Sequence, residues 1–179
     1  FEGISEVSGL STMEVLSRFR DSGLHGLPGG GAEMLVDNVR SGISPRKGSS
    51  KNWLRVMSEA QTLGLITSAT NVFGFGESHV DRVEHMDKIR SLQNETVSKG
   101  NPGFTSFISW PVMLENNAFG RMGLRRNSTG LGAGAVEYLR HVSVSRIFMS
   151  NIDHIQSSWP TMGLEVAQIA LSAGADDIG

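Results

Sequence analysis

The residues best suited to chemistry gather where short apolar runs give way to glycine or polar loops. Pro28-Gly29-Gly30-Gly31-Ala32-Glu33 follows one such run. Three glycines let a backbone approach a ligand with no Cβ between them. N–H groups at a following helix start can hold an anionic or carboxylate group, and Glu33 could take a ligand amino group or a ribose hydroxyl. The alternative is a plain turn with a solvated Glu. The loop matches neither GxGxxG nor GxxxxGK[ST]. Phe73-Gly74-Phe75-Gly76-Glu77 is a second such end. It either lines a ligand or only turns the chain, with Phe75 packed and Glu77 solvated. In Gln156-Ser157-Ser158-Trp159 the strand period sets Gln156 and Ser158 on one side and Ser157 and Trp159 on the other. One polar pair then faces inward near a strand end. Trp110 and Trp159 both end strands, which suits stacking on an aromatic substrate or closing the core.

Other constellations are weaker. His25, His79, His85, His141 and His154 form no metal set, because His79 and His85 are six apart rather than four. Each reads as a surface or helix residue. Asp176 and Asp177 are adjacent in a strand, so at most one points inward. No GxSxG elbow is present. Chemistry from side chains alone is poorly supplied, which favours a bound cofactor.

The elements that must position these residues repeat one pattern: strand, glycine or polar loop, amphipathic helix. Ser11-Thr12-Met13-Glu14 is a capping box opening a helix through Val15, Leu16 and Phe19. A strand at 24–27 precedes the glycine loop, and a helix is expected over 32–40, broken by Ser44-Pro45. Ser49-Ser50 caps the next, in which Trp53, Met57 and Ala60 recur at helical spacing. A strand over 65–73 leads to a helix capped by Ser78, with Val80, Val83, Met86, Ile89 and Leu92 at steps of three on one face. A third strand spans 104–110, and an irregular stretch covers 111–134. A helix follows at 136–149, a fourth strand at 154–159, a helix at 164–173 and the start of a fifth strand at 175–178. Strands alternating with helices mean parallel βα units. The expected fold is α/β: the C-terminal portion, about five strands, of a parallel (β/α) barrel of TIM type. An open doubly wound sheet is the competitor. Residues 1–179 form one domain without a linker.

Composition narrows the function. Sixteen Lys and Arg against eighteen Asp and Glu leave a net charge of −2 with no basic block, which argues against nucleic-acid binding. A hydrophobic content of 39% supports a packed core. No apolar run approaches the roughly 18–20 residues of a membrane span, and there is no signal-peptide pattern, so a cytoplasmic setting is expected. Glycine, 22 of 179 residues, is well above the usual ~7% and must sit in loops. The chain has no cysteine, so it can itself form no disulfide, zinc–thiolate or iron–sulfur site. It starts at Phe1 and reads as a piece of a longer protein.

Five ordered stretches carry a resemblance: Leu27-Pro-Gly-Gly-Gly-Ala-Glu33-Met-Leu35 with Ile43-Ser-Pro45; Thr70 to Gly74 with Asp81-Arg-Val-Glu-His85; Arg90-Ser-Leu-Gln-Asn-Glu-Thr96; Phe104 to Trp110 with Glu115-Asn116; and Asn151 to Trp159, closing with Gly174-Ala-Asp-Asp-Ile-Gly179. Together they resemble the radical S-adenosylmethionine enzymes of the futalosine menaquinone route and of deazaflavin synthesis. Within that group, Ile155-Gln156-Ser-Ser-Trp159 beside Phe107-Ile-Ser-Trp110 is most similar to the dehypoxanthine futalosine cyclases. Aminofutalosine synthases and the second subunit of FO synthase are the nearest alternatives.

The resemblance implies a (β/α) barrel of which this chain would cover strands four to eight. It implies S-adenosylmethionine and a [4Fe–4S] cluster as cofactors. The cluster would be held in the full-length parent by a Cys-x-x-x-Cys-x-x-Cys loop after the first strand, and the chain alone would be inactive. Reductive cleavage of S-adenosylmethionine would give a 5′-deoxyadenosyl radical that abstracts hydrogen from a nucleoside-type substrate. By position, Gly29, Gly30, Gly31 and Glu33 would lie near S-adenosylmethionine. Thr70, Asn71, Ser109, Trp110, Gln156 and Ser158 would line the shared cavity. The chain departs from the family at Phe75, where His is common after Phe-Gly, at Ser109, where Pro is expected, and at Pro160-Thr161-Met162. A non-catalytic partial barrel binding a ligand or partner is the reading from a different class. Faces left open by the absent strands would favour self-association.

Overall fold

The computed structural model describes residues 1–117, 119–121 and 131–179. The elements run α1 (Glu2–Ser8), α2 (Thr12–Asp21), β1 (Gly26–Leu27), α3 (Asp37–Ile43), α4 (Ser50–Thr62), β2 (Ile66–Phe73) and α5 (His79–Ser98). They continue with β3 (Phe104–Pro111), α6 (Ala135–Phe148), β4 (His154–Ser157), α7 (Trp159–Met162), α8 (Leu164–Ser172) and β5 (Asp177–Ile178). Of the irregular stretch expected over 111–134, residues 118 and 122–130 lie outside those described.

Local chemistry accounts for the helix starts. Ser11 N donates to Glu14 Oε2 at 2.8 Å while Glu14 N donates to Ser11 Oγ at 3.2 Å, completing the expected box. Ser78 and Asp81 build a second box at the head of α5, and Ser49 caps α4 by accepting from Asn52 N.

All five strands are parallel, in the order β1-β2-β3-β4-β5. Parallel neighbours in register share a face. The rows Ala69–Phe107–Ile155 and Asn71–Ser109–Ser157 therefore point one way, and Ser68–Ser106–His154 and Thr70–Ile108–Gln156 the other. Phe73, Phe107 and Ile155 are buried under α5 and α6, together with Met86, Ile89, Tyr138 and Val142. Ser106, Ile108, Trp110 and Gln156 on the opposite face are only half-buried. This is an α/β fold with a five-stranded parallel sheet, compatible with an arc of a (β/α) barrel. Its order rises without the reversal that marks a doubly wound sheet.

Several expectations shift. Residues 32–36 are irregular rather than helical, and helix begins only at Asp37, whose carboxylate accepts from Ser50 N and Oγ. The fourth strand ends at Ser157, because Pro160 sits in the first turn of α7 and Trp159 already opens that helix. Val80 and Val83 are exposed, while the buried stripe of α5 is Arg82, His85, Met86, Ile89, Leu92, Gln93 and Thr96. Each step of three residues falls about 60° behind a full turn of helix, so five apolar residues spaced by three cannot share a face.

Candidate functional site

The glycine loop leaves the C-terminal end of β1 beside β2. Gly29 N donates to Ser68 Oγ at 3.2 Å, and Thr70 Oγ1 donates to the Gly29 carbonyl at 2.5 Å. A Cβ at Gly29 would stand 2.7 Å from Ser68 O and 2.9 Å from Thr70 N, so this glycine is required by the neighbouring strand. Gly30 differs: nothing lies within 4 Å of its Cβ direction, and its carbonyl is held by Trp53 Nε1 at 3.3 Å. Gly31 has a φ of 87°. Its carbonyl, like that of Ala32, accepts from the buried Arg40 guanidinium, which also donates to Gly48 O at 2.7 Å.

Glu33 adopts a φ of 40°, unusual for a residue with a side chain. Its carboxylate pairs with Lys47 rather than projecting free, and Oε2 is buried without a hydrogen bond, 3.9 Å from Arg40 Nη1. Its carbonyl accepts from Val72 N at 2.8 Å and Asn71 Nδ2 at 3.0 Å. The loop is thus a built rim with Gly30 as its open point.

The six expected cavity residues divide. Thr70 and Gln156 share one row of the open face, and Trp110 lies on the same face beside Val72. Asn71 and Ser109 point the other way, under the helices, where Ser109 Oγ hydrogen-bonds His141 Nε2 at 3.1 Å. They do not line that face, because neighbours in a strand alternate. Ser158 follows the end of β4, is 9% exposed, and its N–H donates to the Tyr138 hydroxyl at 2.8 Å. Trp159 is 46% exposed. Ile108 and Asp177 share the Thr70–Gln156 row, and strict alternation along β3 from Trp110 finds Ile108.

Behind the sheet lies a polar group that sequence reading missed. His85 and His141, read as ordinary helix residues, are buried, and desolvation first of all pushes both down to about 3. Glu77 is enclosed rather than solvated. It accepts from Gly74 N, Phe75 N and Arg82 Nε at 2.8, 2.7 and 2.7 Å. The Arg82 guanidinium sits 4.6 Å over the Phe73 ring and also reaches Glu137 at 2.5 Å, holding that carboxyl below its usual range. Phe75 packs edge-on against Phe119, ring centres 5.5 Å apart, and so presents no titratable group. Asp176 is engaged by His154, Arg146 and Ile155 N. Among the described residues no cluster could hold a metal ion, and no helix is long and apolar enough to cross a membrane.

A cleft of about 940 Å³ lies outside the open sheet face. It runs between α1, the 46–49 turn and α4, and touches the rim at Gly30 and Gly31.

Two glycine variants separate the roles of the rim. Gly29→Ala is expected to cost about 1–3 kcal/mol from overpacking against the β2 backbone. Gly30→Ala should stay within about 0.5 kcal/mol of the parent, with no packed neighbour to disturb. Urea midpoints measure both, and equal losses would refute this reading of the loop.

Consecutive parallel βα units with a glycine rim at the C-terminal edge define an α/β scaffold of parallel-sheet type. Residues 101–179 match the family described as CofH/MqnC C-terminal region. The chain is 41% identical to the 5-amino-6-(D-ribitylamino)uracil–L-tyrosine 4-hydroxyphenyl transferase of Methanoculleus marisnigri, over 96% of its own length and 44% of the relative's. It is 39% identical to the cyclic dehypoxanthine futalosine synthase of Halalkalibacterium halodurans, over 98% and 44%. It is 36% identical to the aminodeoxyfutalosine synthase of Thermus thermophilus, over 97% and 44%. The chain spans less than half the length of these relatives. It is a relative of the futalosine and deazaflavin group of radical S-adenosylmethionine enzymes, the group its sequence resembles.

Proposed function

We propose that the chain is the C-terminal part of a radical S-adenosylmethionine enzyme of this group, acting on a small nucleoside-type substrate, with formation of cyclic dehypoxanthine futalosine as its reaction. One observation carries the reading: the glycine rim and the row Thr70–Ile108–Gln156, in which Thr70 is buried beneath the rim and Ile108, Gln156 and the neighbouring Trp110 are half-buried, occupy one edge and one open face of the same sheet. The open position at Gly30 fits the close approach of a cofactor's polar end. A [4Fe–4S] cluster does not fit residues of this chain, which has no cysteine, and its ligands would come from the rest of the parent. When bound, S-adenosylmethionine supplies the hydrogen-abstracting species.

The chain's own residues do the positioning. Thr70 and Ser68 fix Gly29 against β2, so the rim keeps one shape. Trp110 offers an aromatic face for a substrate ring. Gln156 offers both a donor and an acceptor to a ribose hydroxyl or base edge, and Ile108 between them keeps the floor apolar.

The test uses the full-length parent, reconstituted with iron and sulfide under anaerobic conditions and given S-adenosylmethionine and a strong reductant. Release of 5′-deoxyadenosine is expected, stimulated by the nucleoside substrate, and chromatography of the products separates the three reactions named for the relatives. A loaded cluster with no 5′-deoxyadenosine release would reject the proposal.

A further inference from the structure

One segment of the rim is held from behind by α5. His85, 0% exposed, accepts the Leu35 N–H on Nδ1 at 2.9 Å. Three residues further along α5, Lys88 Nζ donates to the Leu35 carbonyl at 2.7 Å, so both polar backbone groups of Leu35 are gripped by one helix. Just before it, the Glu33 carbonyl is taken by Val72 N and Asn71 Nδ2. Between these grips Glu33 keeps its left-handed backbone at φ 40°, two residues beyond Gly31 at φ 87°. A residue with a Cβ stays in that region only when its surroundings over-determine it.

The ring's protonation follows from the geometry. A nitrogen that accepts a hydrogen bond carries no proton, so a neutral His85 must carry its proton on Nε2. Nε2 is buried with no hydrogen-bond partner in good geometry. The ring also lies 6.2 Å from that of Phe107, which sets its packing against β3. Burial, aided by the positive charges of Lys88 and Arg40, keeps the ring neutral across the physiological range.

We propose that His85 is the positioning residue of the Gly29–Glu33 rim: its neutral, Nε2-protonated ring fixes the Leu35 amide and thereby holds Glu33 in the backbone state that shapes the loop. The consequence for cofactor binding rests on the function proposed above, whereas the effect on the loop does not.

The experiment has two readouts besides activity. In the wild-type chain, ¹⁵N-detected histidine NMR is expected to show His85 with an unprotonated Nδ1 and a protonated Nε2; the opposite tautomer would overturn the proposal. His85→Phe keeps a ring against Phe107 but removes the acceptor, and His85→Gln restores an acceptor. Hydrogen exchange at Leu35 should quicken by about tenfold in His85→Phe, as expected for one lost hydrogen bond. The amides of Ala69 and Phe107 should keep their protection, and His85→Gln should recover part of the loss at Leu35. Unchanged exchange at Leu35, or equal loss across the sheet, would overturn the proposal. In the reconstituted parent, His85→Phe should raise KM for S-adenosylmethionine while kcat stays within about twofold, the split expected when a ground-state contact surface is misplaced. Faster Leu35 exchange with unaltered KM would support the positioning role and count against the rim as the cofactor site.

Discussion

Replacing Arg82 by methionine is expected to lower the stability of the chain by about 3–5 kcal/mol, the usual consequence of stripping one partner from an enclosed ion pair. The Glu77 side chain is fully covered and Arg82 is 11% exposed, so water cannot take the place of the guanidinium. Glu77 would keep only the Gly74 and Phe75 amides as donors, and Glu137 would lose its closest partner. The aliphatic stem of methionine preserves much of the contact with Phe73, so the loss reports mainly on charge. Denaturant titration of the two proteins measures it. Combining Arg82→Met with Glu77→Gln should recover part of the loss, because the orphaned charge is then gone. A single variant within about 1 kcal/mol of the parent would show that the pair is not structurally required.

Acidification gives the second large effect. His85 and His141 titrate near 3 in the folded chain, far below the ordinary histidine value of about 6.5. Their folded values are depressed, so between about 6.5 and 3 the unfolded chain binds protons that the folded one cannot. Stability is therefore full above about 6.5 and is lost as the pH falls through that window. For two such groups the loss between pH 7 and pH 5 is about 4 kcal/mol, well before most carboxylates titrate. Urea midpoints across that range measure it, and a flat profile would contradict the burial of both rings.

The sequence made the element order, the capping boxes and the parallel character of the sheet legible, because each depends on local pattern. It also marked the strand ends from which the rim and the open face are built. The side of the sheet was harder to read. Their place near strand ends groups Thr70 with Asn71, and Ser109 with Trp110, yet each pair is split by the pleat. Register against β3 and β4 decides which member faces the helices. His85 escaped notice for another reason. The buried stripe of α5 has ideal helical spacing only when Arg82, His85, Gln93 and Thr96 are counted, and a search confined to apolar residues passes over it. The pairing of Glu77 with Arg82 was hidden likewise, since a Glu after a glycine turn looks solvated until the next helix folds back on it.

The order of the strands has a consequence for assembly during synthesis. Among the described residues every strand pairs only with those immediately before and after it in the chain, so each βα unit emerging from a ribosome finds its docking edge already made. Growth of this sheet is vectorial, adding one unit at a time, without the wait for a distant partner that slows sheets of interleaved order.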